Sequence, residues 1–345
     1  MLDWFKSYLT GRSQRVSVQG SESNKFALSC GVPQGSCLGP LLFSIYTSEL
    51  FDVIEQHLPH AHCYADDTQI YFSFKAEGRE SVDAAVAMME SCLSDMRSWM
   101  LKNRLLINDS KTEFIILGTR QQLKKVNIPH IRIGDADIIP TSHVTNLGVV
   151  LDQNLNMDRH ISKTSKSAFF HLHNIRRISK YLDQESLLTL THAFITSRLD
   201  YCNSLLYGAP VTQIEKLQRI QNAAARLITR SPKFCHMGPI LRQLHWLPIR
   251  SRIHYKILTL TFRSIHGLAP SYLSELITTS RPSRYSLRSS ESTMLIHPPA
   301  RMLSTLGDRA FSTAAPQLWN RLPPALRNQH SFNLFKNQLK SYLFC

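Results

Sequence analysis

The stretch Tyr64-Ala65-Asp66-Asp67-Thr68-Gln69-Ile70-Tyr71 sets two carboxylates side by side between apolar and aromatic runs. Adjacent like charges repel, so such a pair in a tight turn calls for open water or a cation. Hard, oxygen-seeking cations suit it, since Mg2+ commonly takes one or two carboxylates together with substrate phosphates. In a two-metal site such ions activate an attacking oxygen and stabilise a leaving one during in-line phosphoryl displacement. Neighbouring strand residues point to opposite faces. Asp66 and Asp67 would therefore contribute unequally, and a further carboxylate must come from elsewhere. The dipeptide is also ordinary turn chemistry, and taken by itself that plainer reading is the stronger one.

The elements that must position the pair follow from periodicity. Ile70, Phe72 and Phe74 recur at the two-residue spacing of a half-buried strand, which predicts a β-hairpin with the aspartates at its turn. Ahead of it the pattern predicts a short strand over 26–30, a glycine-punctuated turn over 31–36 and a helix over about 36–55. Behind it, Val82, Val86, Met89, Leu93, Met96 and Met100 recur at four- and three-residue spacing, an amphipathic helix with Ser81 as its expected N-cap. Strand, polar turn and strand are expected over 104–118, a small hairpin around Gly134-Asp135, and a further strand over 144–152. This first part reads as α+β. Beyond Asp152 the texture turns helical, over 157–180, 183–198, 212–230 and 249–265. A Pro- and Ser-rich connector over 281–299 and a terminal helix bearing Phe332, Phe335, Leu339 and Leu343 close the chain. The expected division is 1–153, 154–280 and 281–345.

The net charge of +15 over 345 residues favours polyanionic partners. Its distribution is sharper. Residues 1–150 hold 14 Lys and Arg against 16 Asp and Glu, whereas 151–345 hold 26 against 9. On the expected helix 212–230, Ile214, Leu217, Ala224 and Ile228 make an apolar side, while Lys216, Arg219, Arg226 and Arg230 share another face. Such a stripe can follow a phosphate backbone with little sequence preference. Seven scattered cysteines without a CxxC pair argue against a disulfide framework and a zinc ribbon. His57, His60, His62 and Cys63 crowd together but lack zinc-ligand spacing, so packed or solvated side chains are expected. Trp246 and Trp319, beside Leu and Pro residues, read as buried rather than base-stacking. No secretory signal or membrane span is apparent, and an intracellular location, nuclear or cytoplasmic, is expected.

Four ordered motifs carry a resemblance. "CGVPQGSCLGPLLFSIYTSEL" at 30–50, "YADDTQIY" at 64–71, "NRLLINDSKTEFIILG" at 103–118 and "VTNLGVVLDQNLNMDRHI" at 144–161 resemble the reverse transcriptase of non-LTR (LINE-type) retrotransposons, of the CR1, L2 and jockey group. The resemblance runs on through "HGLAPSYLSELI" and "GDRAFSTAAPQLWNRLPPALRNQHSFNLFKNQLKSYLF". It implies a right-hand polymerase palm followed by a helical thumb and a C-terminal extension. It also implies Mg2+ held by Asp66 and Asp67, with an RNA template, a DNA primer and deoxynucleotides as substrates. Asp66 would be the principal metal ligand and Asp67 the secondary one. Gly31, Pro33, Gln34, Gly35 and Tyr64 would line the nascent base pair and template. Lys111 would protonate the departing pyrophosphate or stabilise its charge, though an ordinary solvated lysine fits that position equally well. The 144–152 strand would form the primer grip. In the family, fingers and a strand with the first catalytic aspartate precede the "WFKSYLTGR" region, and Met1 falls just after that point. The expectation is therefore a partial palm without polymerase activity by itself. The alternative is a non-enzymatic RNA- or DNA-binding protein that uses the basic thumb.

Overall fold

A computed structural model describes residues 2–29, 31, 35–57, 60–279, 294–298 and 306–344. Packing divides the chain into two units, Met1–Thr112 with Ile128–Pro140, and Glu113–Asn127 with Thr141–Cys345.

In the first unit, helix Leu2–Leu9 precedes two short antiparallel pairs, Ser13–Gln14 with Phe26–Ala27 and Ser17–Val18 with Ser21–Glu22. The single helix expected over 36–55 is two, Gly39–Tyr46 and Leu50–Glu55. At the break, the Thr47 hydroxyl donates to the Phe43 carbonyl and the Ser48 hydroxyl to the Ile45 carbonyl. Such local bonds compete with helix continuation. The long helix Arg79–Lys102 forms as its periodicity predicts and buries Val82, Ala85, Cys92 and Met96. Its N-cap is Gly78 rather than Ser81, whose hydroxyl turns back to the Lys75 carbonyl at 2.6 Å. Leu50, Ile54, Cys92 and Met96 form a small core against which Ala61, Ile70 and Phe72 pack.

The strands expected within 104–118 do not form. The regular element there is a 3-10 turn, Asp109–Lys111, because Arg97 of the long helix takes hold of Asp109. The hairpin Ile131–Ile133 with Ala136–Ile138 turns at Gly134-Asp135 as expected. Among the described residues, all strands fall into five separate two-stranded antiparallel pairs rather than one continuous sheet.

In the second unit, 143–152 is a hairpin, His143–Asn146 with Val149–Asp152, not one strand. Leu147 and Gly148 make its turn at φ 43° and 82°, and the Tyr201 hydroxyl donates to the Leu147 carbonyl at 2.6 Å. Asp152 then organises the entry into helix Asp158–Ile178. Its carboxylate accepts the backbone N–H groups of Asn154, Asn156 and Met157 at 3.1, 3.0 and 2.8 Å. Val149 joins a core with Met157 and Ile161, so this hairpin packs with the helices and the division by packing differs from a boundary near 153.

Helices Asp158–Ile178, Val211–Thr229 and Ile249–Ile265 line that core with residues at three- and four-residue spacing, among them Ala168, Leu172 and Ile175, then Leu217, Ile220, Ala224 and Ile228. The helix expected over 183–198 is Gln184–Thr191, a π-helical turn His192–Thr196 and Ser197–Asp200. Two helices not anticipated, Met237–Gln243 and Phe311–Trp319, join the same core. The chain end is part of this unit. The Phe335 ring of helix Phe332–Tyr342 lies 4.5 Å from that of Phe262 and 5.7 Å from that of Trp319. Trp246 and Trp319 are buried as expected. The 281–299 connector lies outside the described residues except for 294–298.

Candidate functional site

The hairpin Ala61–Tyr64 with Asp67–Ile70 has Tyr64 opposite Asp67, leaving Ala65 and Asp66 as a two-residue turn. Ala65 takes φ 55°, the left-handed conformation. A residue with a Cβ pays about 1–2 kcal/mol there, and the ladder beneath holds it in place. Packing of Ala61 and Ile70 on the small core anchors the base of the hairpin, while its tip reaches solvent. Asp66 and Asp67 are both exposed, and no Lys or Arg of the described residues pairs with either. Tyr64, 69% exposed, stands beside them.

The neighbouring histidines have individual partners. His57 Nε2 pairs with Asp95 at 2.6 Å, His60 stacks on Tyr71, and His62 Nε2 lies 2.9 Å from the Tyr71 hydroxyl. The Cys63 thiol donates to the Thr68 hydroxyl across the hairpin.

Lys111 is exposed on its 3-10 turn, and no ion pair joins it to either aspartate among the described residues. That turn is held in two ways. Arg97 Nη1 donates to both carboxylate oxygens of Asp109 at 3.1 Å, and the Lys111 and Thr112 amides close onto Asn108 and Asp109. Sequence reasoning overlooked Arg97 and Asp109, because a pairing across 12 residues and a helix end leaves no local pattern. Gly31 and Gly35 sit at φ 77° and 80°, backbone that only glycine adopts without strain. Pro33 and Gln34 lie outside the described residues.

In the second unit, Lys216 and Arg219 project from the exposed face of helix Val211–Thr229. Arg226 is half-buried, and Arg230 caps the helix at φ 52°. These last two line a cleft that Lys216 and Arg219 do not reach.

Residues 1–151 match the family Reverse transcriptase (RNA-dependent DNA polymerase). The chain is 27% identical over 263 residues to the probable RNA-directed DNA polymerase from transposon BS of Drosophila melanogaster, covering 72% of this chain and 28% of that protein. It is 27% identical over 252 residues to the corresponding protein from transposon X-element, and 26% over 251 to that from mobile element jockey, both of the same fly. Each of these matches covers 69% of this chain and 26% of the relative. Residues 1–151 carry a reverse transcriptase domain, similar to those of non-LTR retrotransposons. It spans about a quarter of the length of the curated relatives it matches. No solved structure matches.

Within the reverse transcriptase domain, the donor set at the hairpin tip fits a divalent cation in kind. Both carboxylates are hard oxygen donors, open to solvent and unpaired with any Lys or Arg of the described residues. It does not complete a cage, because no three His, Cys, Asp or Glu among the described residues converge on one position. Among the same residues, no helix is long and apolar enough to cross a membrane.

Proposed function

We propose that this chain is the palm and thumb portion of an RNA-directed DNA polymerase from a non-LTR retrotransposon, acting on an RNA template, a DNA primer and deoxynucleotides. One observation carries the reading: within the region matched to the family, a hairpin tip exposes Asp66 of the turn and Asp67 of the strand that follows, and no Lys or Arg of the described residues pairs with either. These two would hold Mg2+, with Asp66 as principal ligand. When bound, the ions would activate the primer 3′ oxygen and offset the charge on the leaving pyrophosphate. Lys111, kept exposed on the turn fixed by Arg97 and Asp109, would offer a proton or positive charge to that pyrophosphate. Tyr64, Gly31 and Gly35, with Pro33 and Gln34, would border the template and nascent pair.

Two carboxylates supply part of a two-metal site, and the further donor it needs does not converge on them among the described residues. The chain on its own would then bind metal and nucleotide without extending a primer. Mn2+ titration followed by electron paramagnetic resonance, with a deoxynucleotide present, should show binding that Asp66→Asn weakens at least about tenfold. Equal binding by the two proteins would overturn the assignment. Mg2+-dependent primer extension on an RNA template, abolished by Asp66→Ala, would overturn the separation of binding from catalysis.

A second reading, non-enzymatic nucleic-acid binding, is favoured by the excess of 26 basic over 9 acidic residues in 151–345 and by the exposed Lys216, Arg219 and Arg230. Neutralising Arg219, Arg226 and Arg230 together should flatten the dependence of log K on log salt by up to about three contacts' worth on duplex. Asp66→Ala should leave that binding intact.

A further inference from the structure

The C-terminal ends of helices Asp158–Ile178 and Val211–Thr229 lie together and open a cleft of about 850 Å³. Arg176, Lys180, Arg226, Arg230 and Lys233 line it, with Ser179 and Ser231 between them and no carboxylate on its walls. None of the five cations takes part in an ion pair among the described residues. Among the described residues, the Arg226 Nε is shut off from solvent without a hydrogen-bond partner, and Arg230 makes one long bond, 3.5 Å, to the Leu182 carbonyl. Helix C-termini attract cations, but each supplies only about half a negative charge. Two helix ends offset roughly one of the five, and the surplus marks an anion site.

The residues that follow two of the lining lysines add a second kind of chemistry. Tyr181 and Phe234 each follow a lining lysine in sequence and are 76% and 90% exposed. Lys180 Nζ lies 4.7 Å from the Tyr181 ring centroid and Lys233 Nζ 5.6 Å from that of Phe234. Single exposed rings are ordinary. Two rings, each coupled to a cation of the same cleft, form the alternation of charge and π-face that single strands use. Duplex bases are stacked on one another and would leave both rings idle.

We propose that this cleft binds single-stranded nucleic acid, with phosphates among the five cations and unstacked bases on Tyr181 and Phe234. The inference rests on the nucleic-acid reading above and narrows it to a strand type and a place. Fluorescence anisotropy tests it, using the full chain, an unstructured RNA of about 12 nucleotides and a duplex of the same length. Each ring should contribute roughly five- to 150-fold in affinity for the single strand. The variant carrying Tyr181→Ala and Phe234→Ala should lose at least about 25-fold on the single strand and less than about twofold on the duplex. Both substitutions are on the surface, so an unchanged thermal melt is expected. A DNA strand of the same sequence should show the same loss, since stacking does not read the 2′-hydroxyl. Undiminished single-strand binding by the double variant, or an equal loss on duplex, overturns the proposal. Loss of affinity on neutralising Arg219, with no loss for the ring variants, would retain nucleic-acid binding and reject the cleft. No binding by the unsubstituted chain would reject both.

Discussion

Replacing Arg97 by Met should loosen the turn that carries Lys111, and the size of the effect follows from the geometry of one ion pair. At the observed 3.1 Å, unit charges attract by about 1.3 kcal/mol in water and about 5 kcal/mol at an effective dielectric of 20. Both side chains are about one-third exposed, 32% and 31%. That places the pair between exposed ones, worth at most about 1 kcal/mol, and buried ones, whose breaking costs about 3–5. After ordering of the arginine is counted, about 1–2 kcal/mol remains, or a factor of about 5–30 in the opening equilibrium. The Lys111 and Thr112 amides close the turn onto the Asn108 and Asp109 carbonyls at 3.1 and 3.2 Å, so amide hydrogen exchange at these two positions reads that equilibrium directly. Exchange should rise by the stated factor in Arg97→Met, while amides in the middle of helix Arg79–Lys102 hold their rates. Salt at 1 M, with a Debye length of about 3 Å, should reproduce part of the rise in the unsubstituted chain. A change of less than about twofold at both amides, equivalent to about 0.4 kcal/mol, would refute the idea that the pair holds the turn. Uniform acceleration along the helix would show that Arg97 stabilises the whole unit instead.

Phe335→Ala removes a fully buried ring from between Phe262 and Trp319 and should cost about 3–5 kcal/mol in urea unfolding of the second unit; a loss below about 1 kcal/mol would contradict the packing. Asp152→Asn replaces a carboxylate that accepts three backbone N–H bonds with an amide that sets a donor against one of them, and should cost about 2 kcal/mol or more. Gly134→Ala brings a Cβ to 2.7 Å from Arg97 Cζ at φ 59° and should accelerate exchange at Lys111 much as Arg97→Met does. His160 is buried and accepts the Val150 N–H at Nδ1, and burial, followed by the charge of Lys163, holds its pKa below the ordinary 6.5. Its unfolded form then binds more protons at mildly acid pH. Its contribution to stability is complete above about pH 6.5 and falls as the pH drops from there toward the folded value. His160→Asn, which keeps an acceptor near Nδ1, should reduce the decline in urea midpoint between about pH 7.5 and 5, and an unaltered slope would assign the decline to other groups.

The aspartate hairpin was legible because strand alternation and turn chemistry are local. The same holds for the helices whose apolar residues recur on one face, as with Leu217, Ala224 and Ile228. Three of the misreadings share a cause: a polar group finding a partner that no spacing announces. Thr47 and Ser48 bond backward and split a helix, Ser81 reaches Lys75 instead of capping, and Arg97 draws Asp109 into a turn where strands were expected. The basic face of Val211–Thr229 was visible in sequence, but its division was not. Arg226 and Arg230 join Arg176, Lys180 and Lys233 from distant segments, and only packing brings those together.

The hairpin that bears Asp66 and Asp67 pairs with no third strand among the described residues, so neither of its outer edges is hydrogen-bonded into a larger sheet. An unpaired strand edge is a template on which another copy can zip. From Ala61 to Phe74 the chain is rich in β-formers, and apart from histidine its only ionisable charges near neutrality are those two aspartates. They stand where gatekeeper charges stand beside aggregation-prone segments. Beyond the metal role proposed for them, these carboxylates would then also keep the chain dispersed. Replacing both by Ala should lower the soluble yield as well as metal binding, whereas Asn, being polar, should preserve more of it.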